Sequence, residues 1–224
     1  DSGIANLRSA QKGFERVGFE AQVVEDPRTL RDAHGIVLPG VGAFGEAMMR
    51  LNQLGLVDAL TEHALGRRKP FLGICLGMQL LAQDSREHGF HRGLGWIEGH
   101  VRPILPGVGV RVPHVGWSET DFDGNDPLFR HIEPGACFYF DHSFYLECDR
   151  PLVVARCRYG VELATVVRRD NIVATQFHPE KSQRAGLKLL RNFLNFCIER
   201  RAGGNVRHVQ SNLRSVHSGF SPGW

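Results

Sequence analysis

Long apolar runs and a strong net charge are both missing from this sequence of 224 residues. No segment approaches the roughly 18 consecutive apolar residues that a membrane-spanning helix needs. Lys and Arg number 27 against 24 Asp and Glu, so the net charge of +3 is too small to indicate nucleic-acid binding. We therefore expect a chain that binds neither a membrane nor a nucleic acid.

Paired cysteines are missing too. The five cysteines are odd in number and form no Cys-x-x-Cys pair, the spacing typical of metal sites and redox pairs. Reduced thiols in a cytoplasmic protein fit this usage best, and no signal-peptide pattern is visible. We expect no metal and no cofactor. The five are Cys75, Cys137, Cys148, Cys157 and Cys197.

What the sequence does contain is an alternation of short β-rich runs with helical periodicity. This alternation predicts an α/β fold in which helices cover both faces of a doubly wound mixed sheet, with more antiparallel pairing after residue 93. The 42% of hydrophobic residues can fill the core of such a domain. Predicted helices cover 6–17, 44–65 with an interruption at Gly55, and 183–200. Predicted strands cover 21–24, 35–38, 70–74, 137–140, 152–157, 163–167 and 172–175.

Cys75 is the central residue of the segment 73–77, Gly-Ile-Cys-Leu-Gly, which separates an apolar run from a helix-like stretch. The pattern is typical of a nucleophile elbow, a sharp strand-to-helix turn that holds its central residue in strained backbone geometry. Flanking glycines leave room for neighbouring backbone, and the positive end of the following helix favours the thiolate. The alternative is a buried core cysteine. We predict that Cys75 is a nucleophile.

A base for that nucleophile is offered by the segment 174–182, which follows a strand-like run. His178 can take the thiol proton through one ring nitrogen, while Glu180 accepts a hydrogen bond from the other nitrogen and fixes the tautomer. A satisfied turn histidine is the alternative. The order Cys, His, Glu along the chain differs from the Ser, Asp, His order of serine α/β-hydrolases. We predict that Cys75, His178 and Glu180 form a catalytic triad.

The segment 40–45 reads Gly-Val-Gly-Ala-Phe-Gly and matches the G-x-G-x-x-G pattern of dinucleotide-binding sites. A dinucleotide site would place an acidic residue at the end of the following strand, whereas that strand ends at Cys75. An oxyanion turn is the better interpretation. We predict that the backbone N–H groups of Val41 and Leu76 bind a tetrahedral oxyanion, with glycines that allow the Val41 peptide to rotate.

The segments 73–79 and 178–183 resemble the class I, or triad, glutamine amidotransferases, a family with a flavodoxin-like α/β domain. Together with the segments 39–45 and 112–117, they are similar within that family to the glutaminase subunits of imidazole glycerol phosphate synthase. The resemblance covers about residues 1–200. It implies a glutaminase of histidine biosynthesis that hydrolyses glutamine and passes ammonia to a cyclase subunit.

The resemblance also implies roles for further residues. The residues that hold glutamine would be Gly42, Gln79, His142, Ser143 and Phe144. In the same loop, Asp141 departs from the apolar residue that the family pattern leads us to expect. The acceptor of ammonia would be a (β/α)8 cyclase subunit in a heterodimer. The face that contacts this partner would include Asn6, His114, Trp117, Tyr139 and Lys181.

The resemblance sets expectations for the two ends of the chain. One domain is predicted over residues 1–200, but the sequence opens without the apolar strand that begins the family's fold, so a first strand is expected to be missing before residue 1. After residue 200 the chain loses periodicity and is rich in Gly, Ser, Asn and His, which predicts a disordered tail over 201–224.

Two other functions stay open at this point. One is an inactive docking subunit, which the missing first strand favours and the complete triad opposes. The other is a glutaminase or cysteine hydrolase of the same fold that works alone or serves another acceptor. Gln79 and the segment 112–117 favour the partner-dependent glutaminase over this second alternative.

Overall fold

The computed structural model describes residues 4–202, with side-chain environments from residue 7 to residue 200. Helices and strands alternate in an α/β fold. Among these residues the α-helices are α1 (Ile4–Arg16), α2 (Phe44–Gln53), α3 (Leu56–Thr61), α4 (Leu76–Gln79) and α5 (Gln183–Ala202). The strands are β1 (Ile36–Gly40), β2 (Phe71–Cys75), β3 (Asp84–Ser85), β4 (His91–Arg92), β5 (Gly99–Pro103), β6 (His114–Glu119), β7 (Asp121–Phe122), β8 (Cys137–His142), β9 (Phe144–Cys148), β10 (Val153–Tyr159), β11 (Val161–Arg169) and β12 (Ile172–Thr175).

Six of these strands form the main sheet in the order β1-β2-β12-β11-β10-β7. β1, β2 and β12 run parallel, and the other three strands extend the sheet with antiparallel pairing. At the carboxyl ends of the parallel strands, Gly40 lies opposite Cys75, and Thr175 lies opposite Ile74. The register therefore brings the three chemically suggestive segments of the sequence to one edge of the sheet.

Helices cover both faces of the main sheet, as predicted. Because successive side chains of a strand point to opposite faces, Leu72 packs in a cluster with Phe14 of α1 and Phe193 of α5, whereas Phe71 packs in a second cluster with Phe44 of α2. Each fully buried side chain of this size contributes roughly 1.5–3 kcal/mol to folding. The two clusters hold the parallel strands rigidly from both sides.

Two smaller sheets build one wall of the site. One has the order β4-β3-β5-β9, and the other pairs β6 with β8 antiparallel, with His114 opposite His142. Ser143 is the single residue between β8 and β9. The two small sheets therefore meet at Ser143, which lines the same cavity as Cys75 at the end of β2.

The predicted strand at 21–24 is wrong, because residues 17–25 form neither helix nor strand. A strand needs a neighbour for its backbone groups, and among the described residues β1 pairs on one side alone, with β2. The apolar residues of this segment are used differently. Ala21 and Val24 pack against the two different core clusters, while Val23 is 51% exposed.

The predictions for the chain ends fall mostly outside the described residues. The first strand expected before residue 1 lies there, and so do residues 203–224 of the predicted tail. Residues 201 and 202 still belong to α5, so the helix passes the predicted boundary by two residues. Among residues 4–202, no helix is both long enough and apolar enough to cross a membrane.

Candidate active site

Cys75 occupies a strained backbone position at the junction of β2 and α4. Its φ of 55° and ψ of −109° are unusual for a residue with a side chain. A Cβ on Gly77 would lie 1.8 Å from the Leu38 carbonyl oxygen, and a Cβ on Gly73 would lie 2.7 Å from the Gly77 carbonyl oxygen. Both glycines are therefore required by close backbone contacts, as expected for the glycines on either side of a nucleophile elbow.

The helix after Cys75 is shorter than the sequence suggested. α4 spans four residues, Leu76–Gln79, and the chain then turns away. One helical turn carries little of the macrodipole that a long helix develops. Stabilisation of a thiolate at Cys75 must therefore come mainly from the side chains around the sulfur.

The structure brings His178 and Glu180 together directly beneath the elbow. His178 Nδ1 donates to Glu180 Oε1 over 2.8 Å, and both side chains are almost completely buried. Burial alone would lower the pKa of His178, but hydrogen bonds with Cys75 and Glu180 and the negative charges of these groups raise it to about 9. The ring is therefore protonated readily next to the sulfur, as a proton donor to a leaving group must be.

Two further groups contact the sulfur. Gln176 Nε2 donates to Cys75 Sγ over 3.7 Å, and the sulfur lies 3.8 Å from the Asp141 carbonyl oxygen, to which it donates when the thiol carries its proton. The sequence analysis missed Gln176, which is fully buried two residues before His178. A polar residue between the buried strand β12 and the histidine was the available signal.

A cavity of about 330 Å³ opens at Cys75. Every residue predicted to bind glutamine or an oxyanion lies in its wall. The lining residues are Val41, Gly42, Cys75, Leu76, Gln79, Glu87, Pro113, Asp141, His142, Ser143 and Phe144. Three of them were missed as pocket residues: Glu87, Pro113 and Asp141. The side chain of Asp141 is exposed, and its place on β8 is what brings its backbone to the sulfur.

The turn after β1 has the backbone geometry that its glycines allow. Gly42 has a φ of +90°, a region that favours glycine. A Cβ on Gly40 would lie 2.9 Å from the Leu76 side chain, so this glycine lets the turn approach the elbow closely. Val41 and Leu76 thus line the same cavity, which is the arrangement that two oxyanion donors require.

Gln79 has a fixed amide orientation. Its Nε2 donates to the Phe144 carbonyl oxygen over 2.7 Å and to Gln176 Oε1 over 3.1 Å. Since both amide protons are engaged, the oxygen of this amide is the atom left for the cavity. Gln79 therefore presents an acceptor to a bound molecule.

Glu87 supplies the cavity with a carboxylate. Its Oε2 accepts a hydrogen bond from the backbone N–H of Phe44 over 2.7 Å, so this oxygen caps the N-terminus of α2. The residue lies in the polar segment between β3 and β4, where no sequence pattern distinguished it. A carboxylate fixed in this position suits a positively charged group of the bound molecule.

The predicted partner face divides into two groups. Trp117 and Tyr139 are in edge-to-face contact at 6.0 Å between ring centroids, and Lys181 Nζ lies 5.7 Å from the centre of the Tyr139 ring. Trp117 and Lys181 are exposed, so these three residues form a continuous surface. Asn6 lies in α1, outside the residues with described side chains.

The prediction that His114 contacts a partner directly is wrong. It is 2% exposed because β6 alternates, with Val115 and Trp117 outward and His114 inward. The ring is stacked on Tyr159 at 3.8 Å and on Phe140 at 4.7 Å.

The described residues show no cluster of three or more His, Cys, Asp or Glu side chains that could hold a metal ion. The groups at Cys75 are a thiol, a histidine with its carboxylate, and nearby backbone N–H groups. Such a set can form and hydrolyse a thioester.

Comparison with known proteins identifies the family. The family described as glutamine amidotransferase class-I matches residues 1–196. A relative from Geobacter sulfurreducens is 49% identical over 199 residues, covering 86% of this chain and 95% of the relative. A relative from Aquifex aeolicus is 47% identical over 195 residues, covering 86% and 93%. Both are named imidazole glycerol phosphate synthase subunit HisH.

Solved structures share the fold at lower identity. A putative GMP synthase protein from Thermoplasma acidophilum superposes with a TM-score of 0.69 at 19% identity, covering 91% of this chain and 94% of that one. The glutaminase domain of Trypanosoma brucei CTPS, solved with bound acivicin, gives a TM-score of 0.61 at 16% identity, covering 89% and 90%. The resemblance seen in the segments 73–79 and 178–183 is confirmed, and the chain belongs to the class-I glutamine amidotransferases.

Proposed function

We propose that this chain is the glutaminase subunit of an imidazole glycerol phosphate synthase. The observation that carries the proposal is the placement of Cys75, beside the buried His178–Glu180 pair, at a cavity lined by both proposed oxyanion donors. The named relatives, similar over more than four fifths of the chain, support the choice of synthase. The reaction releases glutamate and ammonia from glutamine.

The first half of the proposed mechanism forms a thioester. Cys75 Sγ attacks the side-chain amide carbon of glutamine, and the negative charge that develops on the amide oxygen is bound by the N–H groups of Val41 and Leu76. His178 donates its proton to the amide nitrogen as the carbon–nitrogen bond breaks, so ammonia leaves and a thioester remains.

The second half releases glutamate. His178, now neutral, takes a proton from a water molecule that attacks the thioester carbon, and the carbon–sulfur bond breaks to give glutamate and the thiolate. Glu180 keeps the Nδ1 proton in place throughout, because its hydrogen bond leaves Nε2 as the nitrogen that exchanges protons with the substrate.

Recognition of the amino-acid part of glutamine is assigned to the opposite wall. The carboxylate of Glu87 and the amide oxygen of Gln79 are acceptors at the cavity, and both suit the α-ammonium group. Gly42 and the loop of His142, Ser143 and Phe144 complete the wall.

A partner is required by the chemistry of the product. Ammonia that escapes into water near neutral pH becomes ammonium and loses its nucleophilic lone pair, so a synthase must take it up directly. We assign this role to a (β/α)8 cyclase subunit in a cytoplasmic heterodimer, docked at the surface of Trp117, Tyr139 and Lys181. Exposed aromatic residues are typical anchors of such interfaces.

The test is glutamate release from L-glutamine by the chain alone and with a cyclase barrel protein plus its nucleotide ligand. Strong activation by the partner is the expected result. High activity without a partner would instead indicate a freestanding hydrolase or a different acceptor. No activity in either condition would indicate a docking subunit, which would overturn the proposal.

A further inference from the structure

A row of hydrogen bonds runs from β6 toward the glutamine pocket. Ser118 Oγ lies 2.8 Å from His114 Nε2, and His114 Nδ1 lies 3.0 Å from His142 Nε2. His142 Nδ1 lies 2.8 Å from the Phe144 carbonyl oxygen. Both imidazoles are buried, and no step of the proposed mechanism moves a proton through either of them.

The proton positions along this row are determined by its last member. A carbonyl oxygen can only accept, so His142 carries a proton on Nδ1. In the neutral ring its Nε2 is then bare and accepts from His114 Nδ1, which leaves His114 Nε2 to accept the hydroxyl proton of Ser118. All three bonds therefore point toward Phe144.

The Phe144 carbonyl oxygen is shared with the pocket. Besides His142, it accepts a proton of the Gln79 amide, whose second proton is held by Gln176 Oε1. Gln176 Nε2 reaches Cys75 Sγ. The histidine row and the nucleophile are therefore connected through the one side chain, Gln79, that offers its oxygen to the cavity.

We propose that His142 is a positioning residue for glutamine binding and that His114, which donates from Nδ1 to His142 Nε2, keeps the His142 ring in place. The inference rests on the proposed glutaminase function. His142 orients the Phe144 carbonyl, and that carbonyl keeps the Gln79 amide turned so that its oxygen faces the substrate. Without the hydrogen bond from His142, the Phe144 carbonyl can turn away from Gln79. The Gln79 amide can then rotate by 180°, so that its NH2 group and not its oxygen faces the α-ammonium group.

The surroundings of the two rings keep them neutral. His114 lies between the rings of Phe140 and Tyr159, and the titratable groups that face His142 are His114 and His178. Among residues 7–200, no carboxylate forms an ion pair with either ring. Burial lowers the pKa of both His114 and His142 to about 4. A second proton on His142 would remove its acceptor and break the row.

The test compares two substitutions of one residue. In His142→Asn the amide nitrogen can take the place of Nδ1 and still donate to Phe144. In His142→Gln the amide lies near the former Nε2 and cannot. The measurement is alkylation of Cys75 by iodoacetamide in the full chain, followed by mass spectrometry at increasing L-glutamine. The glutamine concentration that halves the rate reports binding, and the rate without glutamine reports the nucleophile.

We expect His142→Gln to need about tenfold more glutamine for half-protection, since a buried hydrogen bond of this kind is lost. His142→Asn should stay within about threefold of wild type. In each protein, the alkylation rate without glutamine is the reference against which its own half-protection is measured. Equal protection in both variants, or equal loss in both, would overturn the positioning role.

Two further results keep the test decisive. If His142→Gln does not fold, His114→Phe is measured instead, because a phenyl ring can keep the stacking on Phe140 and Tyr159 but removes the donor to His142 Nε2; unchanged protection there would contradict the inference. If glutamine fails to protect wild-type Cys75, the proposed function falls and the inference falls with it. Protection of wild type with no difference among the variants overturns the inference alone.

Discussion

The two walls of the cavity are built in different ways. What we call the catalytic wall is Cys75, which lines the cavity, together with the buried His178–Glu180 pair beside it. These residues come from the ends of the adjacent parallel strands β2 and β12. The recognition wall, formed by Gln79, Glu87 and the segment 141–144, comes from short elements distant in sequence and is partly open to solvent. Chemistry is thus encoded in short local patterns, while recognition depends on how distant segments meet.

The largest expected effect breaks the catalytic wall. Cys75→Ala should abolish glutamine hydrolysis, because no other thiol of the described residues lines the cavity, while thermal unfolding and partner binding stay as in wild type. Glutamate release measures the effect. Cys137→Ala, which changes an exposed cysteine, serves as the matched control and should retain full activity. Appreciable hydrolysis by Cys75→Ala would remove the sulfur from its assigned role.

A smaller loss is expected at Glu180, because in the proposed mechanism it orients the base and does not attack. Glu180→Gln should lower kcat on the order of 10²-fold. The negative charge of Glu180 helps to raise the pKa of His178 to about 9, so its removal should shift the alkaline limb of the activity profile to lower pH. The pH dependence of kcat/KM is the measurement. A variant as active as wild type with an unshifted limb would contradict the triad.

Breaking the recognition wall should change binding more than chemistry. In Glu87→Gln the amide oxygen can still accept the Phe44 N–H, but the negative charge is lost. We expect KM for glutamine to rise roughly tenfold with kcat nearly unchanged. Steady-state kinetics measures both constants, and Glu98→Gln, at an exposed position outside the cavity, is the control. A fall in kcat at constant KM would place Glu87 in the catalytic wall instead.

The last prediction concerns stability instead of activity and sharpens the comparison through pH. His114 and His142 have pKa values of about 4 in the fold, against about 6.5 in an unfolded chain. The unfolded chain therefore binds more protons between these values, and stability falls as pH drops from 6.5 toward 4. The slope is about 1.4 kcal/mol per pH unit for each histidine at its steepest.

Urea unfolding at pH 7.0, 5.5 and 4.5 measures this slope. His142→Asn removes one of the two titrating rings and should reduce the slope by about half. The contribution of His178 to stability depends on pH in the opposite direction. Its pKa is raised to about 9, so the stabilisation is complete below pH 6.5 and is lost as pH rises through about 9. A slope that His142→Asn leaves unchanged would show that other groups cause the loss at low pH.

The residues of the proposed triad can be named from the sequence because their signals are short. The glycines on either side of Cys75, and a histidine two residues from a glutamate after a strand, constrain the backbone within a few positions. Most strands of the main sheet could be predicted for the same reason, because runs of apolar residues indicate buried strands such as β2 and β12. Predicted strand ends differ from the observed ones by a few residues.

The features that the sequence did not predict correctly have a different physical cause. The segment 21–24 contains two valines, which favour a strand, but strand formation depends on a neighbour that sequence pattern cannot reveal. The inward direction of His114 depends on how β6 pairs with β8. The place of Glu87 in the pocket depends on where the loop between β3 and β4 lies. The shortness of α4 depends on how the chain after Gln79 packs. Each is a property of tertiary contacts.

The contact between Gly77 and the Leu38 carbonyl has a mechanical consequence. It packs the elbow directly against β1, the strand that leads into the turn at Val41. Sliding of one strand past the other would drive backbone atoms into each other, so the distance between the sulfur and the turn cannot be adjusted by moving whole elements. The remaining freedom is rotation of a single peptide unit next to Gly42. Activation by a partner should therefore be visible as altered hydrogen exchange at the Val41 amide, against an unchanged background from β1 and β2.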